Sequence, residues 1–281
     1  SASRGRQGKA GPRRTSDDRL FVADSKKVHA AGAGVSALEL PVMAFLGNLP
    51  FPSATLHQLC SALAGDAFER DFRDEPWNDR AEITLPTTVS RKLVEQYSQR
   101  LQRMSEASQV RLLSVRSRII FPAEFNRDVR AADSKGVVLS RNTMQLVRAA
   151  CDAHAGFSQT EVTCDKHGGR NRYDELVSEA FDDAFVFRLQ ESMASSSYRM
   201  GDCTLTFRVK AEEVLPVAMA SMVSKYLREV LMDQFNAFWI RHLPDLRPTR
   251  GYPADAKRFD EEITAIRESL GITRESLWRE R

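Results

Sequence analysis

The hydrophobic pattern of the chain changes period once, sharply, near residue 210. From Leu205 to Val209 apolar and polar residues alternate, which puts Leu205, Phe207 and Val209 on one face of a predicted strand. The alternation stops at Glu212 and Glu213. Pro216 then stands where the first turn of a helix accepts proline, because no N–H is needed there. From Ala220 onward, Val223, Leu227, Val230, Leu231, Phe235 and Phe238 recur at three- and four-residue steps, one apolar helical face about six turns long. Ala218, Ala220, Ser221 and Ser224 keep the first turns thin, so that end can lie close against a sheet or a ligand. The unit is strand, acidic corner, helix.

The same reading orders the rest of the chain. Leu20–Ala23 is predicted to end a strand and run into Asp24-Ser25-Lys26-Lys27-Val28. Residues 35–108 are mostly helical in pattern, with Ser36 and Glu39 at capping-box spacing and Ser53 placed to cap a helix carrying Leu56, Leu59 and Leu63. The charged stretch 65–87 reads as a loop, and Val89–Met104 as a helix. Val110–Phe121 is strand-like and closed by Pro122, and Ser140–Ala150 is helical. Thr160–Asp165 alternates again and ends on an acid, Ala184–Leu189 is another strand, and a helix spans Ala256–Leu270. Strands separated by helices predict an α/β sheet domain.

Composition narrows this little. With 42% hydrophobic and 28% charged residues the chain is ordinary for a globular protein. No apolar run approaches the roughly 20 residues that cross a bilayer, and the expectation is a cytoplasmic monomer without membrane contact. The four cysteines lack Cys-x-x-Cys spacing, so neither zinc nor a disulfide framework is indicated. Arg4, Arg6, Lys9, Arg13 and Arg14, with no acid among residues 1–16, make 1–19 a basic arm or loop. Such an arm is a solvated tail or a contact to phosphates.

Lys210-Ala211-Glu212, Pro216, Ala220-Ser221, Ser224-Lys225 and Arg228-Glu229 occur in an order that resembles ribonuclease HII. In that family a Lys-Ala-Asp corner leads into an Ala-Ser-x-x-Ala-Lys helix ending in Arg-Asp. Asp24-Ser25-Lys26-Lys27-Val28 is similar to its Asp-Ser-Lys-Lys-Leu segment, and Gly251-Tyr252-Pro253 to a loop that follows its long helix. The resemblance covers residues 21–34 and about 110–281. It implies a ribonuclease H-like mixed sheet flanked by helices over 20–281, with 35–108 as a helical insertion and 244–281 as a C-terminal loop and helices. Three departures stand out. Glu212 replaces the family's aspartate, and the stretch from Pro216 to Ser221 is one residue short, which leaves Glu213 as a second candidate. The Asp-Glu-x-Gly-x-Gly strand that supplies two further acids in the family has no counterpart, as expected of a sequence that begins after it or of a degenerate relative.

Asp165 and Glu212 end predicted strands, and strand ends on one sheet edge are where α/β proteins place their sites. Two carboxylates meeting there repel unless a cation lies between them, and oxygen ligands suit Mg²⁺ or Mn²⁺. The resemblance makes both residues catalytic metal ligands; taken alone, each is an ordinary turn or first-turn acid. It also implies that Tyr252 packs on a sugar, while Arg170 and Lys225 would contact phosphates. His167 beside Asp165 is a candidate general acid. The implied activity is a metal-dependent endoribonuclease acting on RNA in RNA·DNA hybrids or on ribonucleotides in DNA. The alternative is a nucleic-acid-binding module without catalysis.

Overall fold

The computed structural model describes residues 19–30, 34–51, 53–78, 82–153, 156 and 158–279; apart from Arg19, the basic arm lies outside them. Five helices come first: α1 (Ser25–Ala30), α2 (Val35–Leu46), α3 (Leu56–Ala64), α4 (Asp66–Asp74) and α5 (Arg91–Ser108), with a 3₁₀ turn at Pro76–Asn78. Then follow α6 (Pro122–Ala132), α7 (Lys135–Ala153), β1 (Thr160–Asp165), α8 (Asp174–Ala180), β2 (Val186–Glu191), β3 (Ser195–Met200) and β4 (Cys203–Arg208). A 3₁₀ turn (Ala211–Glu213) leads into α9 (Leu215–His242), and α10 (Pro253–Ser269) and α11 (Arg274–Leu277) close the chain.

The sheet has four strands in the order β1-β4-β3-β2. β2, β3 and β4 form an antiparallel meander, and β4 then lies parallel to β1, with Asp165 opposite Arg208. The fold is therefore mixed α/β. One face of the sheet is apolar: Tyr198, Leu205 and Phe207 are fully buried against Met144 and Val147 of α7 and against Leu176 and Val177 of α8. Tyr173 lies flat on Phe207, with ring centroids 3.8 Å apart and planes within 3°.

Helix α9 is the spine. Its 28 residues span about 42 Å at the rise of an α-helix. Met222, Val223, Tyr226, Leu227 and Val230 fill one core with α1–α5. Further along, Phe238 and Trp239 fill a second core with Trp77, Phe259 and Ile263. No helix among the described residues is long and apolar enough to cross a membrane.

Several local expectations are corrected. Glu39 does not close a capping box with Ser36. Helix α2 begins two residues earlier, at Val35 behind Gly34, and the Glu39 side chain is wholly buried. Thr55, not Ser53, caps α3, its Oγ1 accepting from Gln58 N at 3.3 Å. Part of the predicted loop 65–87 is helical, because Phe68 and Phe72 at i,i+4 give that charged stretch a buried face. Residues 110–121 form no strand. Leu112, Val115 and Ile119 pack on the first core without a partner strand. Leu20–Ala23 is likewise outside any strand. Val209 lies past the end of β4 and is exposed.

The buried Glu39 carboxylate is held from two sides. Its Oε1 accepts from Thr87 N (2.6 Å), Thr87 Oγ1 (2.8 Å) and Tyr226 OH (2.8 Å). Its Oε2 accepts from Thr88 N (2.6 Å), Thr88 Oγ1 (2.5 Å) and Val89 N (3.1 Å). Burial alone would raise its pKa, but the bonds from Thr88, Thr87 and Tyr226 outweigh burial and hold it below the ordinary value. Glu39→Gln turns an NH₂ group toward one set of donors and should cost about 2–3 kcal/mol in urea unfolding at pH 7. A group with a lowered folded pKa stabilises fully above its unfolded pKa, about 4.3, and loses that contribution as pH falls through the folded value. The gap between wild type and Glu39→Gln should therefore narrow on acidification; a gap constant from pH 7 to pH 3 would contradict this account.

Candidate functional site

The acidic corner is built by two parallel strands and one tight turn. β1 and β4 run side by side and end together, so Asp165 and Arg208 are neighbours, and Lys166 N donates to Arg208 O at 3.2 Å. Beyond Arg208 the chain turns through Lys210, whose φ of 55° is left-handed, into the 3₁₀ turn that carries Glu212. Glu212 thus stands in that turn, four residues beyond the end of β4, and not on the strand itself. The Ala211 N–H points back at β1 and donates to Asp165 Oδ1 at 3.3 Å. Asp165 is exposed and Glu212 half-buried. Glu213, the second candidate, is turned to Arg208, 3.1 Å from its guanidinium.

Beside this corner lies an open cleft of about 450 Å³. Thr163, Asp165 and His167 form one wall, Leu139 and Thr143 of α7 another, and Pro216, Val217 and Ala220 of α9 the third. The small residues of the first turns of α9 are what leave this space. After Asp165 the chain reverses at Gly168 (φ 49°) and Gly169 (φ 82°), and two successive left-handed residues are readily supplied only by glycine. The turn closes with Arg170 N donating to His167 O at 2.8 Å, and the Arg170 guanidinium lies 6.0 Å from the centre of the Tyr173 ring.

His167 is tied into the fold. Its Nδ1 lies 3.1 Å from Ser140 Oγ and its Nε2 3.4 Å from Thr143 Oγ1, while its backbone N–H donates to Tyr173 OH at 2.9 Å. Burial, then the nearby Arg170 charge, lowers its pKa, with Asp165 opposing. Both ring nitrogens are engaged, so the ring orients the loop against α7. Lys166 is equally engaged, its Nζ donating to Asn171 Oδ1 (2.9 Å) and Ser192 O (2.5 Å).

The other predicted residues lie along α9. Ser221, one position past the cleft, donates from Oγ to Ser25 Oγ at 3.0 Å, which seats the Asp24-Ser25-Lys26-Lys27 segment on this helix. Asp24 caps α1 there, its Oδ1 accepting from Lys26 N at 2.8 Å. About 12 Å beyond Ala220 by helical rise comes Arg228, whose guanidinium lies 5.8 Å from the centre of the Tyr252 ring. Tyr252 is 60% exposed, so one face remains open to a ligand. Lys225 is turned to the buried Glu229, at 2.8 Å, together with Arg228 (2.8 Å) and Arg250 (3.2 Å).

Asp255 is a residue the sequence reading missed. Its Oδ2 accepts from Thr249 Oγ1 (2.6 Å) and Arg250 N (3.0 Å), and its Oδ1 pairs with Arg258 at 2.8 Å. The Thr249 and Arg258 bonds pull its pKa down to about 2. It fixes the loop that presents Tyr252. The available signal was an acid in the first turn behind Pro253, a position that favours N-terminal hydrogen bonds.

Hard divalent cations take six or more oxygen ligands, and carboxylates are apt donors. Asp165 and Glu212 have the right chemistry. Yet no group of three or more His, Cys, Asp or Glu able to hold a metal occurs among the described residues, so the protein donor set is incomplete.

The Lys225–Glu229 pair yields a test. Lys225→Met should lower stability in urea by about 1.5–3 kcal/mol, the range for hydrogen bonds to charged groups. The effect should largely vanish in a Glu229→Gln background, the mark of a direct coupling. Equal stability of Lys225→Met and wild type would leave Lys225 free for another role. Comparison of the chain with known protein families, with curated proteins and with solved structures finds no match.

Proposed function

We propose that this chain is a metal-dependent endoribonuclease of ribonuclease H type. It takes RNA in RNA·DNA hybrids or ribonucleotides embedded in DNA at the edge formed by Asp165 and Glu212. The observation that supports the reading is the bond from Ala211 N–H to Asp165 Oδ1, which sets the residue before Glu212 against an acid distant in sequence. Asp165 and Glu212 would hold Mg²⁺ or Mn²⁺, which when bound supplies an activated water and charge stabilisation at a phosphodiester. With only these two acids from the described residues, cation binding is weak and turnover slow. Arg170 offers charge to a phosphate beside the cleft. Tyr252, in the loop before α10 and beside Arg228 of α9, offers an exposed ring to a sugar or base. Lys225 acts through Glu229, holding the Arg228–Tyr252 end of the surface in place.

A second reading, a nucleic-acid-binding module without catalysis, is favoured by the missing third acid among the described residues. A labelled RNA·DNA hybrid with Mn²⁺ separates the two. Binding should weaken steeply with salt. Tyr252→Ala should lower affinity about 5- to 150-fold, since stacking contributes roughly 1–3 kcal/mol per base. Slow cleavage should vanish in Asp165→Asn and Glu212→Gln, and Glu212→Asp should lower it, because a displacement of about 1 Å can cost on the order of 100-fold in rate. Binding without cleavage supports the second reading. Cleavage that survives both Asp165→Asn and Glu212→Gln removes this edge from the chemistry, and no binding at low salt rejects both readings.

A further inference from the structure

All four cysteines are free, but two of them are neighbours. Cys151 lies in the last turn of α7 and Cys203 is the first residue of β4; they are 52 positions apart in sequence, yet their Sγ atoms lie 3.4 Å apart. Both are half-buried. A disulfide needs about 2.05 Å, so the sulfurs must close by roughly 1.4 Å, within the range of side-chain rotation and slight backbone adjustment. The other two cysteines are out of reach. Cys60 is wholly buried in the first core. Cys164 pairs with Phe207 in the register where Thr160 pairs with Cys203, so it lies four residues, or about 13 Å, along the strands.

We propose that Cys151 and Cys203 form a peroxide-sensitive dithiol that closes to a reversible disulfide between α7 and β4. The Cys151 thiolate attacks one oxygen of hydrogen peroxide. The O–O bond breaks, the sulfur is oxidised to a sulfenic acid and the other oxygen leaves as water after taking a proton. The Cys203 sulfur then attacks the sulfenic sulfur, forming the S–S bond and expelling the hydroxyl, which leaves as water with the Cys203 proton. Two thiols and one peroxide thus give one disulfide and two waters. The contact supplies the activation: a thiolate on Cys151 accepts the Cys203 S–H, which lowers the pKa of Cys151 and raises that of Cys203. Burial, in contrast, pushes Cys60 up to about 12. The consequence is mechanical. Helix α7 carries Ser140 and Thr143, which hold His167, and β4 pairs with β1, so the bond would tether the helix of one cleft wall to the strand beside another. The inference does not depend on what the cleft binds.

The test uses the full chain, native, with stoichiometric hydrogen peroxide. After quenching, thiols titrated in denaturant should fall from four to two and return to four with dithiothreitol. Non-reducing peptide mapping should find Cys151 joined to Cys203 as the main product. The same oxidation of urea-unfolded chain should give a mixture of pairs. With Cys203→Ser, oxidation should stop at a sulfenic acid on Cys151 that dimedone traps, and with Cys151→Ser no linkage should form. Four intact thiols, Cys151 over-oxidised with Cys203 free, or a main linkage to any other cysteine would each overturn the proposal, and the wild-type map decides this even if a variant misfolds.

Discussion

A carboxylate with six donors and no solvent is the constraint on which this architecture rests. Glu39 sits on α2, its donors come from residues 87–89, and the sixth, Tyr226, comes from the middle of α9. A charge in that position is tolerable only while all three elements stay in place, because each departing donor leaves part of the charge unsolvated. Apolar contact between helices fixes their approach loosely, since neighbouring packings differ little in buried area. A directional cage of this kind fixes register. It ties the helices before the sheet to the helix after it, across nearly 190 residues.

That register makes α9 a ruler. Its first turns border the cleft, Ser221 takes the segment at Asp24, and Lys225 and Arg228 organise the loop of Tyr252. Segments from both ends of the chain are placed along one rigid axis at intervals set by helical rise. The surface that results carries the acidic corner, then small residues, then the Arg228–Tyr252 pair.

How much of this was legible depended on whether a signal was local. The strand–corner–helix unit from Leu205 to Phe238 was readable because its periodicity, its Pro216 and its acidic corner all act within a few residues. Strand β3 escaped notice because Ser195-Ser196-Ser197 carries no apolar alternation; Ser196 is buried but satisfied by donating to Asn171 O at 2.6 Å. Residues 110–121 misled for the converse reason, since a strand-like apolar stretch reports burial and says nothing of a partner strand. At the corner, the places of Asp165 at the end of β1 and Glu212 just past β4 were legible, yet the fate of Lys225 was not. Its proximity to an acid four residues on was visible, but the burial of Glu229, which turns a surface pair into a structural one, depends on the loop bearing Arg250.

The parallel pairing of β1 with β4 gives the corner an uneven tolerance to change in chain length. Between Asp165 and Cys203 lie a helix and a two-stranded excursion whose own length does not set where β4 comes to rest; the ladder with β1 does. Residues could be gained or lost at the exposed turn around Met193 without moving either acid. Between Arg208 and Glu212 nothing of the kind holds. The left-handed Lys210 and the Ala211 N–H form a short, stiff lever, and one residue more or less would swing residue 212 away from Asp165. Sequence drift in this protein should therefore accumulate in the long connection and spare the short one.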